Sequence, residues 1–199
     1  LIIVSIISLS KGSVYIPNED IWLAIFKKGD VINQTIIWEL RLPRLICSLL
    51  VGSALGMSGA LLQGMLMNGL ASPYLLGISA GSGLVIVFFI SFGLLQSFIP
   101  FAAWMGAILT TLIVFILSKD GNKIVVERLV LGGVAISSLF GAIQATLLLQ
   151  VEDGRIQAAL NWLIGSLNSR GWQEINFAAL PILIALFIGL FLSRQLNLL

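Results

Sequence analysis

Residues Leu45 to Ser118 read LICSLLVGSALGMSGALLQGMLMNGLASPYLLGISAGSGLVIVFFISFGLLQSFIPFAAWMGAILTTLIVFILS. This stretch contains no Asp, Glu, Lys or Arg. It is long enough for three membrane-crossing helices, because one crossing takes about 20 apolar residues. Two turn-forming clusters divide it, one ending at Pro73 and one ending at Pro100. The sequence therefore predicts spans at about 45–67, 75–92 and 100–118.

The composition of the whole chain agrees with a membrane protein. The 199 residues are 58% hydrophobic and 10% charged, and their mean hydropathy is +1.06. Soluble domains carry about 25% charged residues, because the surface that contacts water must be polar. The net charge of +2 is too small to indicate a nucleic-acid partner. We therefore predict an all-α polytopic protein whose solvent is the lipid bilayer.

The remaining apolar runs complete a prediction of six spans in one transmembrane domain covering residues 1–199. Further spans are predicted at about 1–9, 125–150 and 175–192, and the segment 10–44 is predicted to lie outside the membrane. The apolar piece 156–165 is too short to cross, so we expect a re-entrant or surface helix there. Since the chain opens on Leu1 inside an apolar run and ends at Leu199 without a turn signal, we expect it to be a fragment.

The external segment is expected to contain a short helix at the membrane interface. Pro17 to Asp20 precede the apolar run Ile21 to Phe26, a pattern typical of a capped amphipathic helix. The charges leave the orientation open. Placing this segment outside puts seven basic residues outside and four inside, which opposes the positive-inside rule.

The sequence offers no catalytic, metal-binding or cofactor-binding residues. It contains no His, its single cysteine is Cys47, and the adjacent carboxylates Glu152 and Asp153 lie in a predicted loop. The glycines of the motif GxxxGxG at Gly77 to Gly83 lack the lysine of a phosphate loop. No ionisable residue is predicted at mid-membrane depth, where an ion-coupled carrier usually needs one. If the chain moves a solute, we expect the energy to come from another subunit.

Small residues recur at four-residue spacing on three predicted spans. They can serve close helix packing, or they can form a smooth pathway wall for a bulky solute, and the sequence leaves both open. The pathway alternative is best placed on the third stripe, because its span also carries Ser138, Gln144 and Thr146. The stripes are Gly52, Gly56, Ala60 and Gly64; Gly77 and Gly81; and Gly133, Ser137, Gly141 and Ala145.

Two long blocks of sequence resemble a known family. They are RLPRLICSLLVGSALGMSGALLQG at 41–64 and NGLASPYLLGISAGSG at 68–83. Shorter matches are LVLGGVAISSLF at 129–140, WLIGSLNSRGW at 162–172 and SRQLNLL at 193–199. In this order they resemble the permease subunits of ABC importers for iron-siderophores, haem and cobalamin, with the fold of a type II importer. The resemblance covers the whole chain.

This resemblance implies a permease of ten spans, of which the chain would supply about the first six. It implies a dimer with a second copy or close homologue, two cytoplasmic ATPase subunits, and a substrate-binding protein on the outer side. The permease itself would not be an enzyme. The expected location is the bacterial cytoplasmic membrane, and the expected cargo is a ferric siderophore or a similar bulky chelate.

The resemblance also implies roles for individual residues. Arg41 and Arg44 match arginines that face glutamates of the docked binding protein, and the family orientation places them outside. Asn68 and Leu70 match the cytoplasmic gate loop, although Gly69 stands where the family commonly has Pro. The translocation pathway would be lined by residues of the span 125–150 and of the short helix after it: Leu131, Gly133, Ser137, Ser138, Gly141, Trp162 and Gly165.

One alternative function belongs to a different class of transporter. An ion-coupled secondary carrier would use no ATPase and would need a mid-membrane ionisable residue outside these 199 residues. A membrane scaffold without transport is a third hypothesis. Neighbouring genes for an ATPase and a binding lipoprotein would favour the importer over both.

Overall fold

A computed structural model describes residues 1–94, 96–121, 123–151, 153–168 and 170–196, without the side chains of Gln96 and Asp153. Asn122, Glu152 and Ser169, and the last three residues of the SRQLNLL motif, therefore lie outside the described residues. The chain divides into two compact units. The first consists of residues 1–61 and 167–199, and the second of residues 62–166.

The first unit is built from helices at both ends of the sequence. Its helices in chain order are α1 (Ile2–Ser10), α2 (Asn18–Ile25), α3 (Val31–Thr35), a π-helical segment (Ile36–Arg41), α4 (Leu42–Met65, which enters the second unit at residue 62) and α9 (Trp172–Leu196).

Among the described residues of the second unit, the regular elements are helical except for one short β-hairpin. Its elements are a 3-10 turn (Pro73–Leu76), α5 (Ile78–Ser91), a second 3-10 turn (Gln96–Phe98), α6 (Ile99–Leu117), strands β1 (Lys119–Asp120) and β2 (Lys123–Ile124), α7 (Val126–Leu148) and α8 (Asp153–Ile164). The antiparallel pair β1–β2 occupies the connection between the predicted spans 100–118 and 125–150. Gly121 has φ +60°, a conformation that suits this tight turn.

Four helices of the described chain are long and apolar enough to cross a membrane: Val31–Met65, Ile99–Leu117, Val126–Leu148 and Trp172–Leu196. Helix α5 has 14 residues, because the 3-10 turn and Gly77 occupy the start of the predicted span 75–92. The predicted all-α membrane fold is confirmed. The six spans and their limits stay a prediction.

The helix leading into the charge-free stretch begins well before Leu45. Helical structure runs without a break from Val31, and it widens into the π-helical segment just ahead of Pro43. Proline has no N–H to donate to the carbonyl four residues earlier, at Glu39, so the regular α-helical pattern cannot hold there. A π-helical turn is one way to absorb such a defect.

The short segments of the first unit enclose a small apolar core. Leu9, Ile16, Ile21, Ala24 and Ile37 are its buried members. The predicted short helix is present as α2, and its position at the membrane interface stays a prediction. Its N-cap position is Pro17, which makes no side-chain cap, so the favourable charges in its first turn come from Glu19 and Asp20.

Close backbone packing holds the helices of the second unit together. A Cβ placed on Gly81 would lie 2.8 Å from the carbonyl oxygen of Gly106, and one on Gly106 would lie 2.7 Å from that of Gly81. The hydroxyl of Thr110 fills the remaining space beside Gly81. Helices α5 and α6 thus meet through glycines, which is how helices in lipid gain contact. The packing interpretation of the Gly77–Gly81 stripe is confirmed.

The stripe on α4 has a different environment. Cβ atoms placed on Gly52, Gly56 and Gly64 would meet nothing within 4 Å among the described residues. The contact between α4 and α9 uses another face, where a Cβ on Gly189 would lie 2.9 Å from Met57 Cγ.

Candidate docking and translocation sites

Arg41 lies at the end of the π-helical segment and is bonded within its own unit. Its Nη1 donates hydrogen bonds to the carbonyl oxygens of Leu9 and, at 3.0 Å, Ser10, and its Nη2 donates to that of Val14. The guanidinium therefore binds the end of α1 and the loop that follows it. The guanidinium bonds carbonyl oxygens of its own unit and also lines a surface cavity.

Arg44, one helical turn later, has a different environment. Its side chain is exposed, and it forms no hydrogen bond or ion pair with the described part of the chain. Pro43 between the two arginines is buried, so the backbone that carries them is held in place. Of the two predicted docking residues, Arg44 is the one whose guanidinium forms no hydrogen bond or ion pair with the described residues.

A polar cavity of about 410 Å³ opens beside these arginines. It is lined by Arg41, Arg44, Lys11, Ser8 and Ser13, among others. Three cationic side chains thus share one cavity, and no described carboxylate forms an ion pair with any of them. Carboxylates and phosphates are the groups that such a site binds.

The predicted gate loop follows α4 in the second unit. The carboxamide Oδ1 of Asn68 accepts a hydrogen bond from Leu70 N at 2.9 Å, and the carbonyl of Asn68 accepts one from Ala71 N at 3.0 Å. This Asx-type turn shapes the loop although Gly69 replaces the family's Pro. The side chain of Leu70 is 86% exposed, so it is available to another surface.

The predicted pathway residues of α7 divide between two faces. Gly133 is buried against the 3-10 turn, where a Cβ would lie 2.0 Å from the carbonyl oxygen of Leu75. Ser137 lies near Gly77, and its hydroxyl is buried without a hydrogen-bond acceptor in the described structure. Leu131, Ser138 and Gly141 are exposed. Packing therefore explains Gly133 and Ser137. The exposed Gly141 is still free to contribute to a pathway wall.

Helix α8 carries the other two predicted pathway residues. Trp162 lines a cavity of about 660 Å³, together with Arg155, Gly93, Ile90 and neighbouring residues. Arg155 Nη1 donates to the carbonyl of Ser91 at 3.0 Å, which ties the start of α8 to the end of α5. Gly165 ends α8 with φ +76°, the left-handed conformation that favours glycine at a helix C-terminus.

Sequence reasoning missed three contacts that position these sites. Gln144 Nε2 donates to the carbonyl of Ala80 at 2.9 Å, joining α7 to α5. Trp172 Nε1 donates to the carbonyl of Trp38 at 2.9 Å, and Trp38 Nε1 donates to that of Ala24 at 3.0 Å. Gln144 can be recognised from sequence as a polar side chain in an apolar run, and the two tryptophans as indole donors near the ends of spans. Their acceptors could not be identified, because a backbone carbonyl leaves no signal in sequence.

The fold and these sites define a multi-pass α-helical membrane protein with a cationic surface pocket. The model of the FecCD transport family matches residues 1–199. The chain belongs to this family of transport permeases, and it is a multi-pass protein of the bacterial cytoplasmic membrane.

Individual relatives agree with the family match. The iron(3+)-hydroxamate import system permease protein FhuG of Bacillus subtilis is 35% identical over 99% of this chain and 61% of its own length. The vitamin B12 import system permease protein BtuC of Vibrio cholerae is 32% identical over 90% of this chain and 56% of its own.

A solved structure, described as an inward-facing conformation of a metal-chelate type ABC transporter, is also similar. It superposes with a TM-score of 0.84 at 30% identity over 99% of this chain and 60% of that one. The chain thus spans between half and about three fifths of the length of the relatives it matches.

Proposed function

We propose that this chain acts as a membrane-spanning permease subunit of an ATP-driven importer for a ferric siderophore or a similar bulky metal chelate. The observation that carries the proposal is the match to a transport family over residues 1–199. Import of iron(3+)-hydroxamate and of vitamin B12 is named for its relatives. The permease has no catalytic site of its own, and ATP hydrolysis belongs to two cytoplasmic ATPase subunits.

The surface around Arg41 and Arg44 docks the extracytoplasmic substrate-binding protein. In support, three cations line one cavity there, and no described carboxylate is paired with them. Guanidinium groups bind carboxylates in a planar, two-pronged geometry that lysine cannot reproduce. Acidic side chains on the binding protein would therefore be recognised by geometry as well as by charge.

The translocation pathway forms where α7 and α8 meet a second copy of the permease or a close homologue. In support, Leu131, Ser138, Gly141 and Gly165 are exposed. Exposed small residues on a membrane helix favour close approach of another helix. Since these four residues are uncharged, the pathway would hold a chelate weakly and leave selectivity to the binding protein.

Asn68 and Leu70 act in the cytoplasmic gate. In support, the loop packs through its following 3-10 turn against Gly133 on α7. A movement of the loop would thus reach the pathway helix through direct backbone contact.

Uptake measurements test this function. Cells that carry the whole permease with its ATPase and binding protein should accumulate at least one of radiolabelled ferric hydroxamate, ferric catecholate, haem or cobalamin. Cells lacking the permease gene should not. Equal accumulation in both strains for all four chelates would overturn the proposal.

A further inference from the structure

The cavity of about 660 Å³ lies where three helices of the second unit begin or end. Helix α5 ends there at Ser91, α6 begins at Ile99, and α8 begins at Asp153. Because α6 is long and apolar enough to cross a membrane, its start lies at the depth of the lipid headgroups. Trp104, in the second turn of α6, is 61% exposed, which agrees with this depth because tryptophan is enriched at the membrane interface.

Arg155 places a cation at this cavity. Its Nη1 donates to the carbonyl of Ser91 at 3.0 Å, and α5 has no basic residue in its own last turn, so Arg155 supplies the cation that favours a helix C-terminus. Among the carboxylates that the structure describes, none forms an ion pair with Arg155. The side chain is exposed, and its Nε and Nη2 form no hydrogen bond with the described residues. The guanidinium therefore keeps donors for a ligand.

Gly93 allows the guanidinium to lie against the turn that ends α5. A Cβ on Gly93 would be 3.3 Å from Nη1 and 3.4 Å from Nη2 of Arg155. Gly93 also has φ +63°, a conformation that favours glycine. Since the guanidinium is both hydrogen-bonded to the backbone and packed against it, it loses less freedom when it binds an anion.

The rest of the cavity wall is largely apolar. Ile90, Leu94, Ile99 and Ala158 line it beside Arg155. Ile90 and Ile99 are buried in one cluster with Ala159 of α8, so this part of the wall is held by packing. A small inorganic anion would contact the guanidinium but would cover none of the apolar surface. A phospholipid satisfies both parts, because its phosphate can bind the guanidinium while its acyl chain covers the apolar side chains.

We propose that this cavity binds a membrane phospholipid, with the phosphate on Arg155 and the start of an acyl chain against Leu94 and Ala158. The bound lipid bridges the end of α5 and the start of α8. An anionic headgroup such as that of phosphatidylglycerol binds better than a zwitterionic one, whose own cation lies near the phosphate. The site goes beyond the proposed transport function and does not depend on it.

The test measures lipid binding to the full-length permease with its ATPase subunits. The complex is delipidated in detergent and titrated with phosphatidylglycerol or with phosphatidylcholine of the same acyl chains, and bound lipid is counted by native mass spectrometry. The wild type should prefer phosphatidylglycerol. Arg155→Ala should weaken phosphatidylglycerol binding about fivefold and leave phosphatidylcholine binding nearly unchanged, so the preference disappears. Arg155→Lys should retain much of the preference, because it keeps the charge.

A second variant changes the cavity without removing the charge. Ala158→Trp fills the apolar part and should weaken the binding of both lipids, and it remains informative if loss of the bond to Ser91 unfolds Arg155→Ala. Arg128→Ala is the matched control for charge, because Arg128 forms an ion pair with Asp120 at 3.5 Å, and it should bind lipid like the wild type. Phosphatidylglycerol should raise the melting temperature of the wild type and of Arg128→Ala, but not that of Ala158→Trp.

Each contrary outcome has a separate meaning. A wild-type preference for phosphatidylglycerol in Arg155→Ala would overturn the role of Arg155. Wild-type affinity of Ala158→Trp for both lipids would show that the lipid binds elsewhere. Equal losses in Arg155→Ala and Arg128→Ala would indicate diffuse attraction to positive charge and would overturn the site. Displacement of phosphatidylglycerol by millimolar inorganic phosphate would mean that the cavity takes a free anion, and the lipid assignment would be wrong.

Discussion

Gly133 lies against Leu75 so closely that a Cβ on the glycine would be 2.0 Å from the leucine's carbonyl oxygen. This contact joins the N-terminal half of α7 to the 3-10 turn that follows the loop of Asn68 and Leu70. A backbone carbonyl cannot move aside as the end of a flexible side chain can. The two elements are thus held at a fixed separation.

Gly133→Ala is therefore expected to destabilise the permease. Over-packing of this kind costs about 1–3 kcal/mol. The measurement is thermal unfolding of the purified full-length permease in detergent. Gly141→Ala on the same helix is the matched control, because its Cβ meets nothing within 4 Å. Equal melting temperatures for both variants would mean that the close contact with Leu75 is absent.

Gln144 should contribute a hydrogen bond between α7 and α5. Gln144→Leu removes the donor to the carbonyl of Ala80, and we expect a loss of about 0.6 kcal/mol, the average for such bonds in membrane proteins. Unfolding equilibria measured in bicelles can resolve this difference. Thr146→Val serves as the control, since among the described residues the Thr146 hydroxyl bonds only within its own helix, to Ala142. A larger loss for the threonine variant would contradict the assignment.

Trp172 should link the start of α9 to the helix that precedes α4. Trp172→Phe keeps an aromatic ring near Trp38 but removes the indole donor, so unfolding should become easier by about 0.5–1.5 kcal/mol. Trp104→Phe is a suitable comparison, because its indole forms no hydrogen bond with the described residues. If both variants unfold at the wild-type denaturant concentration, the link to Trp38 carries no stability.

Much of the fold could be predicted from the lengths of the apolar runs and from the turn-forming residues that separate them. The charge-free run after Leu45, with its clusters at Asn68–Pro73 and Phe92–Pro100, predicted the helices that became α4, α5 and α6. The stripe Gly77 and Gly81 indicated either close packing or a pathway wall, and the structure shows close packing there. The start of the first long helix could not be predicted, because Val31 to Arg44 are polar enough to indicate a surface segment, although they continue the same helix.

The candidate site was predictable only in part. The motif RLPR identified Arg41 and Arg44 as a pair of equivalent cations. Their environments differ because Arg41 bonds to the end of α1, where Ser10 lies 31 residues earlier in the chain, and Arg44 does not. Such long-range contacts have no local pattern. The stripe Gly133–Ser137–Gly141 likewise looked uniform, yet one end is packed on Leu75 and the other is exposed.

The central claim, ATP-driven import, is tested most directly by transport in proteoliposomes. The full-length permease, its ATPase and its binding protein are reconstituted with a labelled ferric chelate that the binding protein retains. Uptake should require ATP, should fail with an ATPase that cannot hydrolyse it, and should continue when ionophores remove the proton and sodium gradients. Uptake without ATP that stops on adding an ionophore would contradict the account and favour an ion-coupled carrier.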